Sequence, residues 1–245
     1  MNDNILGGWS QDMTDDPVQY RESDSDVAEE RRRAERTAAQ MRKLGHAITY
    51  ILWGYVLLHL DFNVETIWDY NYVTGETVGG ALNLLPDWVG YLLILKALPA
   101  IGEEEPSATL LASLAKVLAA IAGILWVTSI FTDSPYLLVL ELTELAVNMY
   151  FIYQLFTNLA AIAGKYGYPG QKKLLTLRTV NTVMGAALYI AGQLSTLWQL
   201  EVEIYGLAGI IVVASLLFLL AVGVWTGVVL WSLKKYLDRG RAQNS

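Results

Sequence analysis

The sequence predicts an all-α fold: a polytopic membrane bundle of about six transmembrane helices, with the N-terminus and the C-terminus both cytoplasmic. Three observations predict it. Of 245 residues, 54% are hydrophobic and only 17% are charged, where soluble domains carry about 25% charged residues. The charges are also segregated. They crowd ahead of residue 44 and then recur in short gaps between long apolar runs, the pattern of segments that must enter oil. Finally, the lysines and arginines sort to alternate gaps, as the positive-inside rule requires of a chain threaded back and forth.

Residues 1–25 are polar and acidic, with Asp3, Asp12, Asp15, Asp16, Glu22 and Asp24. They hold too little apolar surface to offset ordering entropy, so a disordered tail is expected. Residues 26–44 read as a charged cytoplasmic helix. Asp26 and Glu29 have capping-box spacing, and the run Glu29 to Arg36 offers Glu–Arg pairs at three and four residues. Arg31, Arg32, Arg33, Arg36, Arg42 and Lys43 stand directly ahead of the first apolar run as a topogenic flank. The interleaved glutamates weaken the competing reading, attraction to anionic lipid heads.

The transmembrane domain is placed at 45–233, with spans near 45–62, 82–101, 108–131, 136–162, 177–199 and 205–233, followed by a basic cytoplasmic tail at 234–245. In this threading the outer segments 63–81, 132–135 and 200–204 contain no lysine or arginine, and hold Glu65, Asp69, Glu76, Asp133, Glu201 and Glu203. Lys165, Lys172, Lys173 and Arg178 mark the inner loop between spans four and five. Lys234, Lys235, Arg239 and Arg241 mark the C-terminus. The acidic inner loop Glu103-Glu104-Glu105 is tolerated because acids count for little in the rule. No apolar run falls within the first 30 residues, so the first span is expected to act as its own insertion signal in the cell membrane.

In the longest outer loop, 63–81, Thr74-Gly75 is a turn signal between two short β-prone runs, which suits a small hairpin or an interfacial segment. Trp68, Tyr70, Tyr72 and Trp88 would form an aromatic rim at that face. The loop's carboxylates lack the ligand spacing of a calcium site.

The second span is the least ordinary. Asn83-Leu-Leu-Pro-Asp-Trp-Val-Gly-Tyr-Leu-Leu-Ile-Leu-Lys-Ala-Leu-Pro99 is apolar, yet carries Asp87 near one end, Lys96 near the other and two prolines. Pro86 suits a helix start, with Asn83 upstream as a candidate cap and Asp87 beside the positive end of the helix dipole. Pro99 kinks or ends the helix. Two readings follow: a full span with a kink, or a discontinuous helix lining a cavity, as transporters use. The string Leu-Pro-Asp-Trp-Val-Gly-Tyr, followed by Leu-Leu-Ile-Leu-Lys-Ala-Leu, resembles a segment of uncharacterised multi-pass membrane proteins of Gram-positive, clostridia-like bacteria, in which it opens the second span. The resemblance covers roughly residues 50–100. It implies the architecture and no chemistry.

Charged groups within spans cost a few kcal/mol each at the bilayer centre, so each needs an account. The candidate ligand or ion path comprises Lys116, Glu141, Glu144, Asn148, Asp87 and Lys96. Lys116 shares a face with Ala112, Ala119, Ala120 and Gly123, and is expected to point into the bundle. Lys96 is expected to snorkel to the inner headgroups. On span four, Glu141, Glu144, Asn148 and Asn158 follow three-and-four spacing and share one face, which must meet protein or water. Either these groups pair with a buried lysine and with each other, or they line a path for an ion, a proton or a polar solute. Gly185 and Gly192 on span five, with Asn181 and Gln193, and Gly223-x-x-x-Gly227 on span six are expected helix contacts, within the chain or between copies.

No reactive arrangement is found: no nucleophile elbow, no zinc-protease pair, no phosphate loop and no dinucleotide fingerprint. With no cysteine and two histidines, His46 and His59, no metal site and no cofactor are expected. The net charge of −7 comes mostly from the N-terminal tail and the outer loops and says little about nucleic acid, but a basic face of the sort that binds phosphate backbones is absent, so no nucleic-acid partner is expected. The expected function is that of an integral membrane protein with a structural, accessory or sensing role. It would not be an enzyme, and its partners would be the bilayer and a membrane protein or a second copy. The alternative is a transporter of a small molecule or ion with a polar path along span four; an intramembrane enzyme comes last.

Overall fold

A computed structural model describes residues 24–59, 63–70, 77–130, 137–197 and 205–243, the side chains of 24–25, 63–82, 188–213, 215–216 and 241–243 excepted. The elements are α1 (Asp24–Leu57), β1 (Asn63–Tyr70), β2 (Thr77–Asn83), α2 (Asp87–Glu104), α3 (Ala108–Ser129), α4 (Leu138–Lys165), α5 (Gln171–Leu197) and α6 (Tyr205–Gln243). The disordered tail expected before residue 24, the Thr74-Gly75 turn and the outer segments at 132–135 and 200–204 lie outside the described residues.

The six helices form a ring. Each packs on its sequence neighbours, and α6 closes the ring against α1, with α2 also touching α4 across it. The ring has two chemically distinct ends. At the basic end, Lys43 of α1 pairs with Glu103 of α2 at 3.1 Å, and Lys165 of α4 pairs with Glu104 at 2.5 Å. There too the Tyr236 hydroxyl of α6 donates to the carbonyls of Tyr166 and Gly167, at 3.0 and 3.2 Å. Gly167 makes this turn at φ +69°, a backbone region where a side chain is strained. At the acidic end sit the hairpin and the starts of α2 and α4.

The charged arm and the expected first span are one object. The sequence pattern separates 26–44 from a span at 45–62. In the structure α1 runs unbroken for 34 residues, about 50 Å. Nothing between Arg42 and Leu44 breaks a helix, so the polarity changes while the backbone does not. The basic tail likewise continues α6 to Gln243.

The all-α expectation needs one amendment, the antiparallel β1–β2 hairpin, paired from Asn63↔Asn83 to Tyr70↔Thr77. It takes residues 82 and 83 from the expected second span. α2 therefore begins at Asp87, behind Pro86, and the Asn83 side chain accepts from the Leu85 N–H at 2.9 Å instead of capping the helix. Pro99 lies inside α2, which continues to Glu104. The expected second span is thus one helix, and the discontinuous reading fails. Proline removes a single backbone bond, and the buried Leu98 and Ile101 beside it hold the helix together.

Among the described residues, three helices are long and apolar enough to cross a membrane: Ala108–Ser129, Leu138–Lys165 and the Leu217–Gly240 part of α6. The others fall short for local reasons. The apolar part of α1 ends at Leu57. α2 carries Asp87, Lys96, Glu103 and Glu104 in 18 residues. α5 opens on Lys172, Lys173 and Arg178 and mixes threonines with Asn181.

The core runs inside the ring: Ile51, Ile94, Leu98, Leu118, Phe151 and Leu155 are each at most 2% exposed. Large apolar side chains also face outward, among them Val139, Leu220, Val224 and Trp231. In water such a belt would be an aggregation liability; facing lipid it costs nothing.

Candidate functional site

At its acidic end the ring does not fill. A cavity of about 310 Å³ opens between α1, α2, α4, α5 and α6, within the range of small-ligand sites. Asp87 and Tyr91 of α2 and Glu141, Glu144 and Asn148 of α4 line one side. Tyr55 of α1, His59 in the turn just past it, Asn181 of α5 and Val222 of α6 line the other.

Helical spacing explains the α4 wall. Residues 141, 144 and 148 project from one face, and that face turns into the ring. Glu144 is half-buried, while Glu141 lies nearer the rim and is exposed. The Tyr91 hydroxyl, on a side chain 2% exposed, donates to the Glu144 carboxylate. Asp87 and Glu141 are close enough for their charges to act on Glu144. Asn148 Oδ1 is buried with no hydrogen-bond partner, an acceptor that desolvation makes costly to leave unmade. Among the described lining residues there is no lysine or arginine. The site therefore offers negative charge and acceptors, which is what a positively charged or hydrogen-donating group requires.

A hydrogen-bonded floor joins three helices. The Tyr55 hydroxyl donates to Asn181 Oδ1 at 2.7 Å. The Asn181 amide donates to the Leu177 carbonyl at 2.9 Å and reaches Thr226 Oγ1 of α6 at 3.5 Å. The His59 ring stacks on Tyr55 at 4.0 Å, with Nδ1 2.9 Å from the Tyr55 carbonyl.

Below this floor the polar stripe of α4 is interrupted. Phe151, Ile152 and Leu155 are 0%, 7% and 0% exposed. They separate Asn148 from Asn158 by about 15 Å of helix. Asn158 belongs to the basic end, where its Oδ1 accepts from Ser107 at 2.9 Å and from Gln154 at 3.1 Å. One periodic stripe thus serves two sites, with no continuous polar path between them along the described residues of α4.

Of the six predicted site residues, four meet in the cavity: Asp87, Glu141, Glu144 and Asn148. The two lysines do not. Lys116 is exposed on the outside of α3, correcting its expected inward direction. The buried stripe of α3 is Ala108, Leu111, Ala115, Leu118 and Ala122. The small-residue face is misleading, since a Cβ on Gly123 would meet nothing within 4 Å. Lys96 is exposed too, its ammonium 4.6 Å from the centre of the Tyr50 ring, a direction that suits snorkelling. Sequence reasoning misses Tyr55, Tyr91, His59 and Asn181 as site residues. Tyr91 reads as a headgroup-level aromatic, and only its position one helical turn from Asp87 signals the shared face.

At the opposite end, Glu104 is 3% exposed at the side chain and faces Lys165. Burial and the Glu104 carboxylate, which accepts its hydrogen bond, push the Tyr166 hydroxyl up to about 12. Burial likewise raises Tyr168, against the opposing hydrogen bond of Ser232. Among the described residues no cluster of three metal-ligating side chains occurs. No protein-family model, curated protein or solved structure matches this chain.

Proposed function

We propose that this chain is a six-span integral protein of the cell membrane that senses a small cation-bearing solute in its acidic cavity and reports it through the cytoplasmic arm. The observation that carries this reading is the unbroken course of α1. Tyr55 at the cavity and the Arg31–Arg36 cluster at the far end stand on one 34-residue helix. A solute that shifts Tyr55 moves the arm with no intervening hinge. Two further features support the topology. The basic and acidic ends of the ring sort as the positive-inside rule asks of cytoplasmic and outer faces. The ring order also alternates helix direction, so α1, α2 and α5 cross as fillers of a bundle whose lipid contact falls largely to α3, α4 and α6.

The absence of cysteine makes single-cysteine tests clean. Cysteines at Leu84 and Lys172, both exposed, should label from opposite sides of the membrane; labelling from one side ends the six-span reading. A cysteine at Asn148 should react with a membrane-impermeant, positively charged thiol reagent applied outside. Its modification should change the rate at which trypsin cuts the arm at Arg31–Arg36 from inside. An unchanged cutting rate after full modification overturns the sensing role.

A carrier is the second reading. The ion pairs of Lys43 and Lys165 close one end while the cavity opens toward the other, as one state of an alternating pair would. Under that reading Glu144→Gln abolishes uptake of the solute while the protein stays folded. Unchanged uptake removes Glu144 from the mechanism.

A further inference from the structure

The polar cavity does not end at its polar wall. A second space of about 680 Å³ runs from it along the groove between α1 and α6. The two share Tyr55, Leu58, His59, Asp87 and Leu219. Beyond these the groove is lined by Val56, Leu220, Gly223, Val224 and Gly227, with no polar side chain. The Gly223-x-x-x-Gly227 pair is expected to bring two helices together. Instead, a Cβ on Gly223 would meet nothing within 4 Å, and one on Gly227 only Leu52 Cδ1 at 3.8 Å. The glycines hollow out the groove.

Resting on the cavity reading above, we infer that the ligand is a single-chain amphiphile with a cationic head, an alkyl amine or alkylammonium, whose head enters the carboxylate cavity and whose tail lies in the α1–α6 groove. Charge complementarity selects the head. Asp87, Glu141 and Glu144 line the wall beside the place it would occupy, and the buried, unpartnered Asn148 Oδ1 offers an acceptor. Continuity selects the tail. A head seated near Asp87 has an apolar exit past Leu219 and toward Gly223. The neighbouring Leu220 and Val224 are 67% and 59% exposed, so the groove opens sideways and a chain can slide in from the bilayer without crossing water.

The test uses full-length protein in lipid nanodiscs carrying a single cysteine at Asn148 or at Gly223, with the rate of thiol modification as readout. Dodecylamine should protect both positions. Ethylamine should protect Asn148→Cys weakly and leave Gly223→Cys reactive. Dodecanol, with the same chain and no charge, should protect neither; equal protection by dodecanol means ordinary lipid fills the groove and overturns the inference. If ethylamine protects Asn148→Cys as well as dodecylamine does, the tail has no site, and the inference falls while the cavity reading stands. If no amine protects Asn148→Cys, both fall. Gly223→Leu gives the independent check. The open space around Gly223 accepts the side chain, so the fold is kept, and the dodecylamine concentration needed for half-protection at Asn148→Cys should rise about tenfold, the equivalent of roughly two lost methylene contacts. The ethylamine response should be unchanged.

Discussion

Gly54 of α1 and Gly90 of α2 face each other at a crossing with no room for a side chain. A Cβ on Gly54 would lie 2.7 Å from the Gly90 carbonyl oxygen, and one on Gly90 would lie 2.9 Å from the Gly54 carbonyl oxygen. Both obstacles are backbone, so neither can step aside.

Gly54→Ala and Gly90→Ala should therefore each destabilise the bundle by about 1–3 kcal/mol, the usual cost of overpacking a tight contact. Gly223→Ala, set in open space, should be neutral. Unfolding in mixed detergent micelles gives the comparison, and equal behaviour of the three variants would refute the crossing.

Tyr55→Phe deletes the bond to Asn181 Oδ1 and leaves that buried acceptor unmatched. Hydrogen bonds between membrane helices are worth about 0.6 kcal/mol on average and up to roughly 1.7. A loss within that range is expected. The double variant Tyr55→Phe, Asn181→Leu should lose less than the sum of the singles, because the second change removes the stranded group.

The two ion pairs at the basic end should behave differently. Lys43 and Glu103 are 60% and 52% exposed, and Lys43→Met should cost at most about 1 kcal/mol. Lys165→Met leaves the buried Glu104 carboxylate without its counter-charge, and about 1–3 kcal/mol should be lost. Glu104→Gln on that background should recover part of it. Thermal unfolding of the three variants measures both effects.

Alkaline pH should loosen the same end. The Tyr166 hydroxyl sits at about 12 against an ordinary value of 10.0. A proton held more tightly in the folded state stabilises fully below pH 10. That contribution fades as pH rises from 10 toward 12. Solvent reaches much of this side chain, so the effect is modest. Tyrosinate absorbance should show a late-titrating phenol that Glu104→Gln returns toward the ordinary range.

Much of this is legible in the residues. The three-and-four spacing of Glu141, Glu144 and Asn148 puts them on one face whatever the tertiary packing, so their convergence follows from helical geometry alone. Asp87 joins them because a helix start beside Pro86 fixes its end of the bundle. What periodicity cannot supply is which of two candidate faces turns inward. α3 offers one stripe of Ala112, Lys116 and Ala119 and another of Leu111, Ala115 and Leu118, and only contact with α2 and α4 decides between them. Glycine spacing fails for the same reason. Gly54 and Gly90 lie on different helices and form no motif, whereas Gly223 and Gly227 form one and touch almost nothing.

The dry layer of Phe151, Ile152 and Leu155 has an electrical consequence. If water follows the cavity down to Asn148, the insulating thickness shrinks to the apolar stretch beneath it, and the membrane voltage drops chiefly there. A unit charge carried through the full drop changes energy by about 2.3 kcal/mol per 100 mV. A cation resting beside Glu144 would stand above the steepest part of that field, so its occupancy should respond little to voltage, while motion of that cation or of a charged Glu144 carboxylate into the dry layer would respond strongly.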